Sequence, residues 1–209
     1  MEQDSTPLRL LKNAERLMAE KGIAATSVRE ITEESDANVA AVNYYFGSKT
    51  ALLLDLLKSR FEHLDVALLE RVSSVEAEAK SKTPPVRELA KAYFDVITAL
   101  GFNSTTGRLD PFILLIQRAS AEQEAVLEQA QDYNAPGIAK LVNLMTAEVP
   151  ADRRACLDVP MLIGMMFTAS VAAMPAMSSE NRNDILVAAI KDFLFAGVEA
   201  YIARFANGT

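Results

Sequence analysis

Chemistry in this chain has few places to come from, because reactive side chains are scarce. The 209 residues include a single His, His63, and a single Cys, Cys156. An internal disulfide and a zinc site built from His and Cys ligands are therefore both excluded. The sequence contains no glycine loop that would cradle phosphates, no nucleophile elbow, no zinc-binding helix and no Cys and His placed as nucleophile and base. Carboxylates abound, but they recur on helix faces where solvation accounts for them. The chain reads as no enzyme, and no cofactor or metal is expected. What stands out is the run Asp36-Ala37-Asn38-Val39-Ala40-Ala41-Val42-Asn43-Tyr44-Tyr45-Phe46-Gly47-Ser48-Lys49. It places two carboxamides, two phenols and an ammonium among small apolar side chains.

The elements that must position this run are helical. Half of the residues are apolar, 23% are charged, and there are 8 Gly, 8 Pro and no Trp. That composition fits one compact protein, or a medium domain with a small extra module, and excludes disorder, a collagen repeat or a disulfide scaffold. No segment beyond a few residues alternates with period two, so an all-α fold of about nine helices is expected. The first helix runs from about Pro7 through Leu10, Ala14, Leu17 and Met18 to a stop at Gly22. Ser27 and Glu30 have capping-box spacing for a second, ending near Ser35-Asp36. Asn38 is the N-cap of a third, very short helix through Tyr45. A long helix from Lys49 carries Leu53, Leu57, Phe61, Leu64, Leu68, Val72 and Val75 in steps of four and three, to about Lys82.

Pro85 opens a helix with Leu89, Ala92, Tyr93, Val96, Ile97 and Leu100 on its apolar side, and residues 103–107 read as a loop. Asp110-Pro111 starts another, a further helix reaches about Glu148 with an interruption at Pro136-Gly137, and two helices span about 151–174 and 183–205. Val159 to Ser179 contains no charge, but its prolines, small residues and methionines suit a helix buried among others better than a membrane span. Acids in the first residues argue against an export signal, and a reduced cytoplasmic protein is expected.

Three short helices in the first 46 residues have the layout of a helix-turn-helix DNA reader. The run from Asp36 to Lys49 with Ala51-Leu52-Leu53, and Gly22 to Ile31 upstream, raises that layout to something specific. It resembles the signature of the TetR family of bacterial transcriptional regulators over about residues 8–56. The resemblance implies a DNA-binding domain over 1–48, a connecting helix over 49–83, and a ligand-binding and dimerisation domain over 84–209. It implies that Asn38 to Tyr44 enter the major groove, with Asn38 and Asn43 offering amides and Val39, Ala40 and Ala41 allowing close approach to base edges and thymine methyls. Tyr44 and Tyr45 would bond phosphates, as would Lys49 and Thr26 with Ser27, and Arg29 would reach the backbone.

Blander roles exist beside these. Tyr44-Tyr45-Phe46 would serve as a satellite core, Ser27 as a cap alone and Lys49 as a solvated charge; for Val42 and Phe46 packing is the better reading. Asp36 departs from the family pattern, which has glycine in the turn, but Asp tolerates a left-handed backbone. Charge also departs from expectation. The net charge is −7, of which −1 falls within the first 60 residues, so the basic footprint of a nucleic-acid binder is missing. Affinity would have to rest on a few placed contacts, duplicated in a dimer.

The same resemblance implies that the last two long helices pair with their copies in a homodimer. Ala169, Ala172, Ala173, Ala189, Ile190, Phe193, Gly197, Ala200 and Tyr201 offer a surface for this, or else ordinary core. A two-fold dimer would read a palindromic operator. The remaining helices would enclose an effector pocket, with Phe61, Tyr93, Phe94, Phe102, Phe112, Ile116, Tyr133, Met145, Met165 and Phe167 as candidate walls. Their apolar, Met-rich character suggests a small hydrophobic effector that releases a repressor from DNA. The alternative is a helical small-molecule carrier that binds no DNA.

Overall fold

The computed structural model describes residues 5–80, 82–103, 108–131, 135–154, 157, 162, 166–167, 170–171 and 184–207. Among them are ten helical segments: α1 (Thr6–Lys21), α2 (Val28–Glu34), α3 (Ala40–Phe46), α4 (Lys49–Glu78), α5 (Val86–Gly101), α6 (Pro111–Glu122), α7 (Glu124–Gln131), α8 (Pro136–Met145), α9 (Ala151–Arg154) and α10 (Asp184–Asn207). The fold is all-α, as the periodicity requires. Where a loop is expected, Phe102 pairs with Leu109 and Asn103 with Arg108 in a two-rung antiparallel ladder, β1 and β2. Two residues per strand are too few to show an alternating pattern. The long helix ends at Glu78, short of the expected Lys82, and Lys80 beyond it has a φ of 48°.

Packing divides the chain into two compact units, residues 1–63 with 110–134, and 64–109 with 135–209. In the first unit α1 packs against α6 and α2 and turns Leu10, Ala14, Leu17 and Met18 inward; Ile31, Val42, Leu52 and Leu56 are buried in the same unit, as are Phe112, Ile113, Leu115 and Ala119 of α6. In the second the core is the far half of α4 (Leu64, Leu68, Val72), the inner face of α5, Leu141 and Met145 of α8, and Leu194, Phe195, Val198 and Ile202 of α10. Leu162, Met166 and Val171 are helical and buried.

One close approach in the second unit fixes how α8 begins. Asp65 on α4 is buried, and its carboxylate accepts the backbone N–H of Gly137 and of Ile138, each at 2.9 Å. These are two of the orphan donors at the first turn of α8, so a side chain 72 residues away does the work of a cap. A Cβ on Gly137 would lie 2.3 Å from the Asp65 carbonyl oxygen, which is why glycine stands there. No described helix is long and apolar enough to cross a membrane; most of Val159 to Ser179 lies outside the described residues.

Candidate nucleic-acid interface

The short helices are set by local chemistry first. Ser27 accepts the Glu30 N–H while the Glu30 carboxylate accepts the Ser27 N–H at 2.9 Å, the expected capping box. These bonds from Ser27, with Lys21 at 2.9 Å, pull the Glu30 carboxyl down to about 2. Between α2 and α3 the chain reverses through Asp36 at φ 48°, the left-handed position for which Asp is a tolerable substitute for Gly. Ala37 then donates to the Thr32 carbonyl at 2.9 Å. Val39 already has helical angles, and Asn38 supplies the capping acceptor: its Oδ1 takes the Ala40 N–H at 2.9 Å. Gly47, at φ 81°, ends α3.

Non-local groups then clamp this geometry, and sequence reasoning missed them. From α1, Arg9 Nε donates to the Ser35 carbonyl and Asn13 Nδ2 to the Glu34 carbonyl, both at 3.0 Å, holding the end of α2. From α6, Arg118 donates to the carbonyls of Ala19 and Glu20 at 2.8 and 3.1 Å, while Glu122 accepts the Ala24 N–H at 2.8 Å. The loop between α1 and α2 is thus held by residues about a hundred positions away. Arg60 of α4 reaches Glu15 on α1 at 3.2 Å and also bonds Asp110, whose carboxylate caps α6 through the Phe112 N–H. Glu15 Oε1 is buried and within ion-pair range of Arg60, but it is not aligned for a hydrogen bond. Burial pushes the Glu15 carboxyl up, Arg60 opposes this, and Asp110 adds to it.

The result is a solvent-facing side of α3 with a consistent character. Val39, Ala40, Asn43 and Tyr44 lie at spacings of four residues and are all exposed, Val39 at 52% and Tyr44 at 82%. Val42 faces the core, and Phe46 is half-buried. Tyr45 is exposed and its ring meets that of Tyr44 edge-on at 4.9 Å. Ser27 and Arg29 are exposed on α2, and Arg29 is paired with Glu33 at 2.9 Å. The acids nearby are paired along α1 and α2: Glu34 with Arg16, Glu20 with Arg16, and Glu30 with Lys21.

Two residues sit differently from the others. The Thr26 side chain is buried and its hydroxyl donates to the Gly22 carbonyl at 2.8 Å, so it faces inward. Its carbonyl accepts from Lys49 Nζ, which folds the Lys49 side chain back toward the start of α2. The contact to Lys49 is thus made by the Thr26 backbone, and the Thr26 side chain takes no part in it.

The described residues of the expected effector wall fall in both units. Phe61, Phe112 and Ile116 are buried in the first unit, where Phe61 and Phe112 meet edge-on at 5.4 Å and Arg60 lies over the Phe112 ring. Tyr93, Phe94 and Met145 are buried in the second, with Phe94 packed against Phe195. Phe167 is half-buried. Tyr133, Met165 and the side chain of Phe102 lie outside the described residues, as does Cys156; His63 is exposed. A cleft of about 460 Å³ in the second unit, bounded by Pro84, Val86, Leu144, Glu148, Glu199 and Ile202, includes only Met145 from the expected wall.

On α10, Ile185, Ala189, Phe193, Ala196 and Ala200 recur every three or four residues and are exposed, Phe193 at 77%. Ile190, Gly197 and Tyr201 are half-buried, and Ala169, Ala172 and Ala173 lie outside the described residues.

An all-α chain with three short helices at its start, a turn through Asp36 and an exposed side on the third helix is a helix-turn-helix protein in its first unit. The sequence pattern described as "Bacterial regulatory proteins, tetR family" matches residues 10–56. Over this N-terminal stretch the chain is similar to the TetR family of bacterial regulatory proteins. It is 30% identical over 94 residues to "Probable HTH-type transcriptional regulator YttP" of Bacillus subtilis, a stretch covering 45% of this chain and 43% of that protein. The chain spans less than half the length of the curated relatives it matches. Its fold is similar to that of TetR-family proteins from Shewanella sp. PV-4 (TM-score 0.64, 14% identity, 94% and 97% of the two chains) and Vibrio parahaemolyticus (TM-score 0.57, 20% identity, 95% and 97%).

Proposed function

We propose that the protein is a cytoplasmic transcriptional repressor that binds a palindromic operator as a homodimer and is released by a small hydrophobic effector. The observation that carries the DNA-binding part is the exposed side of α3 within the matched residues 10–56, next to an α2 whose end is bonded to α1 and an α1 whose end is bonded to α6. In this reading α3 enters the major groove with Asn38, Val39, Ala40 and Asn43 toward the bases. Tyr44, Tyr45, Ser27, Arg29 and Lys49 bond phosphates on either side, and Arg29 must leave Glu33 to do so. The Thr26 carbonyl contributes by holding Lys49.

The exposed stripe of α10 supports a dimer, since a run of apolar side chains without polar atoms between them is stabilised by covering it with a second copy. The buried aromatic and Met side chains of the second unit support a hydrophobic effector. Effector and DNA would oppose each other reciprocally: the factor by which one weakens the other is the same in both directions.

Fluorescence anisotropy of the full chain against duplexes tiled across the DNA flanking its own gene, at two salt concentrations with random competitor, tests this. Competitor-resistant binding to one palindromic tile at two or four chains per duplex is expected. Weak, salt-erased binding to every duplex, including those selected from a random pool, would leave a carrier without DNA binding.

A further inference from the structure

The side chains that α3 offers to a groove restrict which bases it can read. From Ala37 to Ser48 there is no charged residue. Arg or Lys bidentate to guanine and carboxylate to cytosine are the usual ways a helix selects G·C pairs, and α3 has neither. What it exposes is Val39, Ala40, Asn43 and Tyr44. Asn38 has an amide too, but its Oδ1 is committed to the Ala40 N–H at 2.9 Å, so it is a cap and is not free to present both ends of its amide to an adenine. Asn43 sits one turn further on, exposed, with no hydrogen bond to its amide among the described residues.

We infer that α3 reads A·T pairs, with Val39 and Ala40 against thymine C5-methyl groups and the Asn43 amide bidentate on one adenine. This rests on the DNA-binding reading above and deepens it by naming the base class at the centre of each half-site. The physical logic is that phosphate contacts from Tyr44 and Tyr45 carry no sequence information and α3 has no charged side chain to select G·C pairs, so its discrimination must come from methyl burial and one amide pair. Both terms exist only at A·T pairs in the major groove. It also assigns different roles to the two asparagines, which sequence alone leaves equivalent.

The test begins with selection of duplexes from a random pool by the full chain, followed by atomic substitution in the selected half-site. A·T pairs are expected where α3 docks. Replacing a contacted thymine with deoxyuridine removes its methyl and should weaken binding about fourfold. In Val39→Ala that sensitivity should fall at one thymine and persist elsewhere. Replacing the contacted adenine with 7-deazaadenine should weaken the parent protein roughly tenfold and leave Asn43→Ala unaffected. Both variants change exposed side chains, and their melting temperatures should match the parent. Selected sites with G·C pairs under α3, or full tolerance of deoxyuridine, would overturn the inference while leaving a DNA-binding protein. Failure to enrich any duplex would overturn the DNA-binding reading itself.

Discussion

Among the described residues, α3 and α10 each carry several apolar side chains into solvent, and the atoms beside those side chains set the two helices apart. On α3, Val39 and the rings of Tyr44 and Tyr45 alternate with the Asn43 amide and two phenol oxygens, so any partner must satisfy hydrogen bonds as well as cover carbon. On α10, Ile185, Ala189, Phe193, Ala196 and Ala200 form a stripe with no polar side chain within it; Asp192, at its edge, is paired with Arg87 at 2.9 Å. A wet, polar partner suits the first surface and a second apolar helix suits the second. The polar atoms beside the exposed carbon, rather than the carbon itself, separate the kinds of partner the two surfaces fit.

The sharpest way to break this comparison is to charge the α10 stripe. The double variant Ile185→Asp, Phe193→Asp should sediment at half the parent mass, and its affinity for a palindromic duplex should fall on the order of a hundredfold as two linked half-site contacts become one. Its secondary structure should be intact, because both side chains are exposed. A variant that remains dimeric would remove α10 from the interface.

Next in size are changes to the anchor of α8 in the same unit. Asp65→Ala leaves the Gly137 and Ile138 N–H groups buried without an acceptor, and a loss of about 1–3 kcal/mol is expected in urea unfolding. Gly137→Ala forces a methyl to within 2.3 Å of a backbone oxygen and should cost about 1–3 kcal/mol. Neither should alter DNA affinity per folded dimer. A large effect on affinity would show that the α8 anchor acts on the first unit.

Smaller changes sharpen the α3 side. Tyr44→Ala and Lys49→Ala should each weaken operator binding roughly tenfold, about 1.4 kcal/mol by anisotropy. They should differ in stability: Tyr44 is exposed, whereas Lys49 donates to the Thr26 carbonyl, and only Lys49→Ala should lose about 1 kcal/mol on unfolding. Normal DNA binding by Tyr44→Ala would remove that ring from the interface.

How far these features were legible in sequence follows from how local their causes are. The capping box of Ser27 and Glu30, the Asp36 turn and the Asp110-Pro111 helix start each depend on residues within four positions, and all are present as expected. The bonds from Arg118 and Glu122 to the start of the domain join residues 98 or 99 positions apart, and no periodicity announces them. For the same reason the packing of α6 with α1 is invisible in the chain order. Asn38 and Asn43 look alike as residue types, and only the Oδ1 to Ala40 contact separates them. Buried aromatic residues mark every core, so residue type alone does not separate an effector wall from ordinary packing.

Acid offers the smallest and most discriminating probe, because two carboxyls of the first unit are displaced in opposite directions. Glu15, on α1, is held above its ordinary 4.5 by burial, so its ionised form disfavours the fold at neutral pH. That cost is relieved as pH falls through its folded-state value, and Glu15→Gln should raise the urea midpoint at pH 7 and flatten this part of the profile. Glu30, in the capping box, is held down at about 2 by Ser27 and Lys21, so its contribution is complete above 4.5 and is lost as pH falls toward 2. Glu30→Gln should lower the midpoint slightly at pH 7 and converge with the parent in acid. If both variants shift in the same sense at pH 7, the buried pair with Arg60 stabilises α1 after all, and the clamp of α4 and α6 on the reading helices is stronger than its geometry implies.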